Sequence, residues 1–254
     1  MKTITCMHSG RKRLREWIYL LHSVMTARNS VSARRLSKEL SVQYRSAWYM
    51  MHRIREACGR EDFRLANTVE VDETYVDGKE RNKHAAERLN AGRVTVGKTA
   101  VVVRERGGKV KAAPVERING NALLGFVEES LEPGSQYYTD ITDIATTYPA
   151  PNAQCKQEAV AHSASEYVRG LVHTNGIENA WRLMMRAIIG TWHHDSPKHL
   201  GRCESQVAIR LSEGNLERDI PGRKASLMQQ IGGMRISYEA LVAGNWLSSE
   251  VRSV

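Results

Sequence analysis

Two aspartates, Asp72 and Asp140, stand in or at the end of segments whose residue pattern predicts β-strands. If those strands lie side by side, the two carboxylates come together. Carboxylates held close to each other repel, so either their pKa values split or a cation neutralises them. Hard oxygen ligands of this kind favour Mg²⁺ or Mn²⁺. Taken alone, the pair has a simpler explanation as two unrelated carboxylates at strand ends.

A second polar group, NGIE, occupies residues 175–178. Its spacing is that of a helix capping box, with Asn175 as the N-cap and Glu178 three residues further on. A capped helix would also be a rigid platform from which Glu178 could reach a metal. The two interpretations are compatible.

Other side chains that often bind metals have no matching spacing. The four histidines between residues 173 and 199 do not have the spacing of a known zinc site. The four cysteines form no C-x-x-C pair. We therefore expect no zinc ribbon and no disulfide framework, and we expect a reducing compartment. These residues are His173, His193, His194 and His199, and Cys6, Cys58, Cys155 and Cys203.

The elements that must position the acidic residues follow from periodicity. Strands are predicted at residues 68–76, 94–104, 109–115 and 136–139, with a helix at 121–131 between the third and the fourth. Three strands, a helix and a strand, followed by more helices, suit an RNase H-like core, which is a mixed sheet flanked by helices. The predicted fold class is α/β, preceded by an all-α helix-turn-helix domain.

The basic residues are concentrated in the first quarter of the chain. Residues 1–60 hold 13 Lys and Arg against 3 Asp and Glu, whereas residues 61–254 hold 24 against 25. Such an asymmetry favours a polyanion-binding segment, although a solvated basic face would give the same count. An apolar stretch at residues 17–25 follows a basic run, but His22 interrupts it and no run approaches a membrane span. Export and membrane insertion are not expected.

Apolar spacing predicts three helices in this basic quarter. The first covers residues 14–24, Ser32 caps a second, short helix, and the third runs from residue 43 to 58 after a turn at 41–42. The predicted buried stripe of the third helix is Ala47, Met51, Ile54 and Cys58. The residues left on its opposite side, which we predict to contact DNA as in a helix-turn-helix, are Gln43, Arg45, Ser46, Tyr49 and Arg53.

Five longer motifs resemble the ISXO-type insertion-sequence transposases, a branch of the DDE superfamily. The first catalytic block is matched by VEVDETYVDGKE at 69–80 and NKHAAERLNAGR at 82–93. The third block is matched by EYVRG at 166–170 and HTNGIENAW at 173–181, and the segment after it by GTWHHDSPKHL at 190–200. The resemblance runs from about residue 10 to 212.

The resemblance implies a role for each acidic residue. Asp72 is the first catalytic carboxylate and Asp140 the second, with Asp143 as a competitor for the second position. The third position is Asn175, with Glu178 one helical turn further on. Asp72, Asp140 and Glu178 would bind Mg²⁺ or Mn²⁺, and paired metals ~3.5–4 Å apart would activate water and stabilise the leaving 3′ oxygen.

The family also implies double-stranded DNA as partner, both as element end and as target, a homodimer on paired ends, and action in the bacterial cytoplasm at the nucleoid. Four basic residues are candidate phosphate contacts. They are Lys79, Lys83, Arg93 and Lys98. The predicted domains are a basic helix-turn-helix region at 1–62, the catalytic domain at 63–215, and a partly helical tail at 216–254.

Several positions depart from the family pattern. Met185 stands where the family has Lys, Gln206 where Glu is usual, and Ser212 where Asn is usual. No cysteine pair of the family's N-terminal zinc ribbon is present. One alternative is therefore a transposase-derived protein that binds DNA without cutting it. An unrelated helix-turn-helix regulator is a second alternative, which the length of the matching motifs disfavours.

Overall fold

The computed structural model describes most of the chain in separate stretches. It contains two compact units, residues Met1–Asp62 with Leu183–Val254, and residues Phe63–Arg182. Within the described stretches, no helix is both long and apolar enough to cross a membrane. The described residues are 5–8, 10, 12–27, 29–60, 62–76, 99–115, 120–140, 155–160, 168–192, 197–212, 225, 227–234 and 236–242.

The first unit begins with three helices that confirm the predicted ones. They are α1 (Leu14–Thr26), α2 (Ala33–Glu39) and α3 (Tyr44–Cys58). The hydroxyl of Ser32 accepts a hydrogen bond from the backbone N–H of Arg35 and so caps α2, as predicted. The predicted apolar stripe of α3 is buried at all four positions.

The same unit contains the end of the chain. Helix α6 (Pro197–Ser212) packs against α3, and a short helix, α7 (Tyr238–Val242), follows. The apolar core shared by α1, α2 and α3 is completed by residues from this late part of the chain. Those late residues are Ile209, Leu227, Ile231 and Met234.

Because α6 covers α3, polar residues of α3 are buried as well. The guanidinium of Arg55 donates from Nε to Oε1 of Gln206 at 2.7 Å and lies over the ring of Trp192. The amide of Gln206 donates to the hydroxyl of Ser30 at 2.8 Å. A charged group is thus held in the core by a neutral partner.

Glutamate is usual at position 206 in the family that the sequence resembles. We expect Gln206→Glu to raise the free energy of unfolding by about 1–2 kcal/mol, because a charged acceptor strengthens the bond from Arg55. The hydroxyl of Ser30 can turn and donate to the new carboxylate. Gln206→Leu, in contrast, should lower it by about 1–3 kcal/mol, since it leaves the guanidinium without this acceptor. Urea unfolding of the three proteins measures the order, and a less stable Gln206→Glu would refute the expectation.

A second buried polar group on α3 predicts a pH dependence of stability. Burial, together with the nearby Arg55, His199 and Arg202, holds the pKa of His52 far below its ordinary value. In the unfolded chain the ring takes up a proton below about pH 6.5. Since unfolding then binds a proton, stability should fall by about 1.4 kcal/mol per pH unit below that value. His52→Gln should flatten this dependence by one proton in urea titrations between pH 6.5 and 5, and an unchanged slope would contradict it.

The second unit is built on a mixed sheet of five strands. The strands are β1 (Thr68–Tyr75), β2 (Thr99–Glu105), β3 (Val110–Val115), β4 (Gln136–Asp140) and β5 (Lys156–Val160). Their order in the sheet is β3-β2-β1-β4-β5. The pairs β1–β2 and β2–β3 are antiparallel, whereas β1–β4 and β4–β5 are parallel.

Two helices accompany this sheet in the chain. Helix α4 (Gly120–Ser130) lies between β3 and β4 in sequence and contacts β2 and β3. Helix α5 (Asn175–Ala187) follows β5, and a π-helical turn at Ile188–Trp192 continues it. The predicted RNase H-like mixed sheet with flanking helices is confirmed.

The strand β5 was not among the predicted strands. Its sequence, KQEAV, alternates exposed and half-buried residues, and only its last residue, Val160, is buried. A strand at the edge of a sheet carries polar and charged side chains on both faces without cost. Apolar alternation therefore does not identify it.

Candidate active site

Asp72 lies in the middle of β1, opposite Val102 of β2. Its carboxylate accepts hydrogen bonds on both oxygens. Oδ1 accepts the backbone N–H of Glu73 at 3.0 Å, and Oδ2 accepts the indole N–H of Trp181 at 2.8 Å. Since Trp181 belongs to α5, the second bond ties this helix to the central strand.

Asp140 is the last residue of β4, which pairs in parallel with β1. Glu70 is the partner of Tyr138 in this ladder, and the same register continued by two residues brings position 140 level with Asp72. The two predicted carboxylate positions therefore lie on neighbouring strands at one end of the pair. The competing Asp143 lies outside the described residues.

The segment around Asn175 differs from the predicted capping box. Asn175 is the first residue of α5 and not its cap. The N–H of Glu178 donates to the carbonyl of Thr174, and the N–H of Ile177 donates to the side chain of Glu70 at 2.7 Å. An acid from a distant strand caps this helix end, because the carboxylate of Glu70 accepts the hydrogen bond from the backbone N–H of Ile177, a group close to the one that Asn175 was expected to cap.

Glu178 lies in the first turn of α5 and is partly exposed. Its carboxylate is 3.7 Å from the guanidinium of Arg182, one helical turn further along. Such an exposed ion pair contributes little to stability. Glu178 is therefore not required by packing at this position.

Glu70 is the principal residue of this region that the sequence reasoning missed. It is 1% exposed and lies two residues before Asp72, on the same face of β1. Its Oε1 accepts a hydrogen bond from the Nε–H group of Arg106 at 2.9 Å and lies 3.7 Å from Nδ1 of His173. Its Oε2 accepts the backbone N–H of Ile177. The alternation of acids in VEVDE was the available signal, since it places 70 and 72 on one face.

Two arginines complete this network from the end of β2 and the turn after it. Arg106 donates from its two Nη atoms to the carbonyls of Leu171 and His173, each at 2.7 Å, and its guanidinium lies over the ring of Tyr138. Arg104 donates to the carbonyl of Gly176. The stretch leading into α5 is thus held by charged side chains at three carbonyls.

Gly176 leaves the space that the Glu70 carboxylate fills. A Cβ at this position would lie 2.6 Å from Oε2 and 3.2 Å from Cδ of Glu70. Gly176→Ala should therefore lower the free energy of unfolding by about 1–3 kcal/mol, although alanine is the better helix former. In a Glu70→Ala background the same change should cost little or stabilise. Thermal or urea unfolding of the four proteins tests this, and equal costs in both backgrounds would exclude the clash as the reason for glycine.

The predicted DNA-contacting residues of α3 divide into two groups. Gln43 and Arg45 are exposed and Ser46 is half-buried. Tyr49 is half-buried, and its hydroxyl donates to the carbonyl of Ile236 at 2.7 Å. The outward-facing side of α3 is therefore its first turn.

The prediction that Arg53 points outward is wrong. It is 3% exposed, donates to the carbonyl of His8, and lies over the rings of Trp17 and Tyr49. Burial lowers the pKa of its guanidinium. The apolar stripe alone did not reveal that the opposite side of the later turns is also covered.

The other candidate residues are histidines, cysteines and basic side chains. His173 adjoins Glu70, and His199 is buried against Trp48 and His52. Among the described residues, no three His, Cys, Asp or Glu side chains form a metal-binding group. The four cysteines are buried and form no disulfide bond, and burial raises the pKa of Cys6 and Cys58 to about 12. The candidates outside the described residues are Lys79, Lys83, Arg93, Lys98, His193 and His194.

Two of the positions that depart from the family pattern, 185 and 212, have ordinary environments. Met185 is half-buried on α5. The hydroxyl of Ser212 donates to the carbonyl of Ala208 within α6 at 2.9 Å.

Comparison with known proteins identifies relatives of this chain. A family model described as ISXO2-like transposase domain matches residues 64–210. An uncharacterised protein in transposable element ISH50 of Halobacterium salinarum is 25% identical over 237 residues, which are 88% of this chain and 77% of that protein.

Two solved structures have distant similarity. A chain of the simian T-cell lymphotropic virus intasome in complex with PP2A regulatory subunit B56 gamma gives a TM-score of 0.35 at 14% identity, covering 74% of this chain and 64% of that one. The Mos1 strand transfer complex gives 0.30 at 12% identity, covering 88% and 77%.

Proposed function

Because this chain belongs to the ISXO2-like transposase family, we propose that it binds the ends of an insertion sequence and catalyses metal-dependent DNA cleavage and strand transfer. The proposed metal ligands are Asp72, Asp140 and Glu178, with Asn175 beside them at the start of α5. The observation that carries the proposal is the bond from Trp181 to Asp72. It joins α5, which carries the third predicted acid, to the strand that carries the first.

The donor set fits a hard divalent cation such as Mg²⁺ or Mn²⁺. The first two proposed ligands are carboxylates on neighbouring parallel strands, and continuing the register from Glu70 and Tyr138 would bring positions 72 and 140 level. Carboxylates at such positions are stabilised by a cation, and oxygen donors are the ones that Mg²⁺ prefers. A carboxylate oxygen has two lone pairs, so the N–H donors on Asp72 are compatible with a metal bond. When bound, such ions lower the pKa of a water nucleophile and stabilise the leaving 3′ oxygen.

The three proposed ligands would have different roles in the reaction. Asp72 and Asp140 would fix the reacting phosphodiester through the ions they hold, and Glu178 would complete the ligand set from the partly exposed side of α5. Hydrolysis at the element end would free a 3′-hydroxyl, which would then attack a phosphodiester of target DNA in the same site and displace the 3′ oxygen of that target strand. We include in the proposal a homodimer on paired ends and action at the nucleoid in the cytoplasm.

The helices α2 and α3 are proposed to recognise the element end. They contact each other and are joined by a short turn, as in a helix-turn-helix. The exposed first turn of α3 carries Gln43 and Arg45, with Ser46 and Tyr49 beside it. Gln and Arg can each read a base edge with two hydrogen bonds. Arg53 is not part of this surface.

A second candidate function is DNA binding without cleavage. It is favoured by one observation, Met185 at the position where the family carries a lysine. A missing side-chain cation would weaken phosphate binding while leaving end recognition intact.

The two functions are separated by one experiment. Linear DNA that carries the terminal repeats of the element encoding this chain is incubated with the protein in Mg²⁺, Mn²⁺ or EDTA, with a scrambled-end duplex as the control. Binding is measured in EDTA and strand nicking in metal. Metal-dependent nicking at the repeats supports the transposase; repeat-specific binding with no nicking in either metal supports the second function, and no preference for the repeats refutes both.

A further inference from the structure

Trp181 is a buried side chain whose single polar group, the indole N–H, donates a hydrogen bond to Asp72. The indole N–H can only donate, and it donates to Oδ2 at 2.8 Å. A neutral donor orients a carboxylate without cancelling its charge. The carboxylate is thereby fixed in direction and keeps its attraction for a cation.

The hydrogen bond from Trp181 is accompanied by a second hydrogen bond between α5 and β1. Glu70 and Asp72 are two residues apart on one face of β1, about 7 Å along a strand. Their partners Ile177 and Trp181 are four residues apart on one side of α5, about 6 Å along a helix. The Glu70–Ile177 and Asp72–Trp181 hydrogen bonds therefore form two matched connections between the elements.

The contacts of Glu70 and its neighbours fix the start of the helix that carries Trp181. Glu70 is buried and bound by Arg106, and Arg104 binds the carbonyl of Gly176 in the first turn of α5. The start of the helix is thus fixed independently of Asp72. The indole of Trp181 is buried and is carried by a helix whose start has contacts of its own.

We propose that Trp181 is a positioning residue for the metal-binding carboxylate of Asp72, an inference that rests on the proposed function. Groups that hydrogen-bond to metal ligands set ligand orientation, and their loss typically costs about 10- to 100-fold in metal affinity or activity. Trp181 does not itself touch metal or DNA in this role. It sets the direction from which Asp72 meets the ion.

The test compares Trp181→Phe with Trp192→Phe in the full-length protein. Both changes remove an indole N–H, but the indole of Trp192 donates to the hydroxyl of Ser30 and not to Asp72. Mn²⁺ binding is measured by electron paramagnetic resonance, and DNA nicking is measured as a function of Mn²⁺ concentration. We expect the half-saturating Mn²⁺ concentration to rise about 10- to 100-fold in Trp181→Phe and to stay within twofold in Trp192→Phe. The nicking rate at saturating Mn²⁺ should change much less.

A second measurement needs no variant at the tryptophan. In ¹⁵N spectra of the wild-type protein, the indole N–H signal of Trp181 should shift on titration with Mg²⁺, and Asp72→Asn should abolish that shift. A signal that ignores Mg²⁺, or a Trp181→Phe protein with wild-type Mn²⁺ binding, would overturn the inference. If Asp72→Asn itself binds Mn²⁺ like the wild type, the proposed metal site is wrong and the inference falls with it. Loss of binding in Asp72→Asn without any effect of Trp181→Phe would overturn the inference alone.

Discussion

Asp72→Asn is expected to lower the rate of metal-dependent DNA nicking by about 10³-fold, the scale of loss when a group acting at the reacting atoms is removed. The substitution removes one negative charge and one metal-binding oxygen. It keeps the shape of the side chain, but the single carbonyl oxygen of asparagine can accept from only one of the two donors, the backbone N–H of Glu73 or the indole N–H of Trp181. Circular dichroism and urea unfolding of the variant separate the loss of chemistry from the cost of the lost hydrogen bond. Nicking assays on terminal-repeat DNA in Mg²⁺ and Mn²⁺ measure the rate.

The matched control is Asp62→Asn, because Asp62 is an exposed carboxylate outside the candidate site. It undergoes the same chemical change and should keep the wild-type rate. Both variants should bind the repeat DNA in EDTA as the wild type does, since neither lies on the proposed recognition surface. Nicking by Asp72→Asn within a few-fold of the wild type would remove Asp72 from the catalytic site.

Arg106→Met should lower the free energy of unfolding by about 3–5 kcal/mol, as expected when one partner of a buried charge pair is removed. The change leaves the carboxylate of Glu70 buried without its guanidinium partner, and it also releases the carbonyls of Leu171 and His173. Methionine can still fill part of the apolar space over Tyr138. Urea unfolding followed by circular dichroism measures the loss.

Two further proteins make the attribution to Glu70 specific. Arg186→Met removes an exposed arginine from α5 and should change stability by less than about 0.5 kcal/mol. The double variant Glu70→Gln with Arg106→Met should recover part of the loss, because the buried side chain is then neutral. A double variant that is less stable than Arg106→Met would mean that the carboxylate is stabilised by its other donors alone.

Local patterns predicted the helices of the first unit well but not the surroundings of α3. The spacing of Ala47, Met51 and Ile54 identified one buried side, and all three are buried. Arg53 is buried for a different reason, since it reaches the carbonyl of His8 and the ring of Trp17. Periodicity records which residues are apolar. It does not record that a distant part of the same chain covers the polar side too.

The sequence allowed the acidic residues of the candidate site to be proposed, but it did not reveal the residues that hold them in position. Asp72 and Asp140 could be proposed because carboxylates near strand ends have a direct chemical meaning and the surrounding motifs resemble a family. The role of Glu70 depends on an amide contributed by Ile177 far along the chain. Short-range rules assigned that helix end to Asn175, since capping by the nearest polar side chain is the common case. A buried acid from another element replaced it.

The first unit has a consequence for shortened forms of this protein, because its core is made from segments that are far apart in the sequence. Ile209, Leu227 and Ile231 pack with helices α1, α2 and α3, and Gln206 provides the buried acceptor for Arg55. A chain that ends before residue 206 would leave these helices with open apolar faces and a buried arginine without its acceptor. Such a shortened chain would be prone to unfolding and degradation.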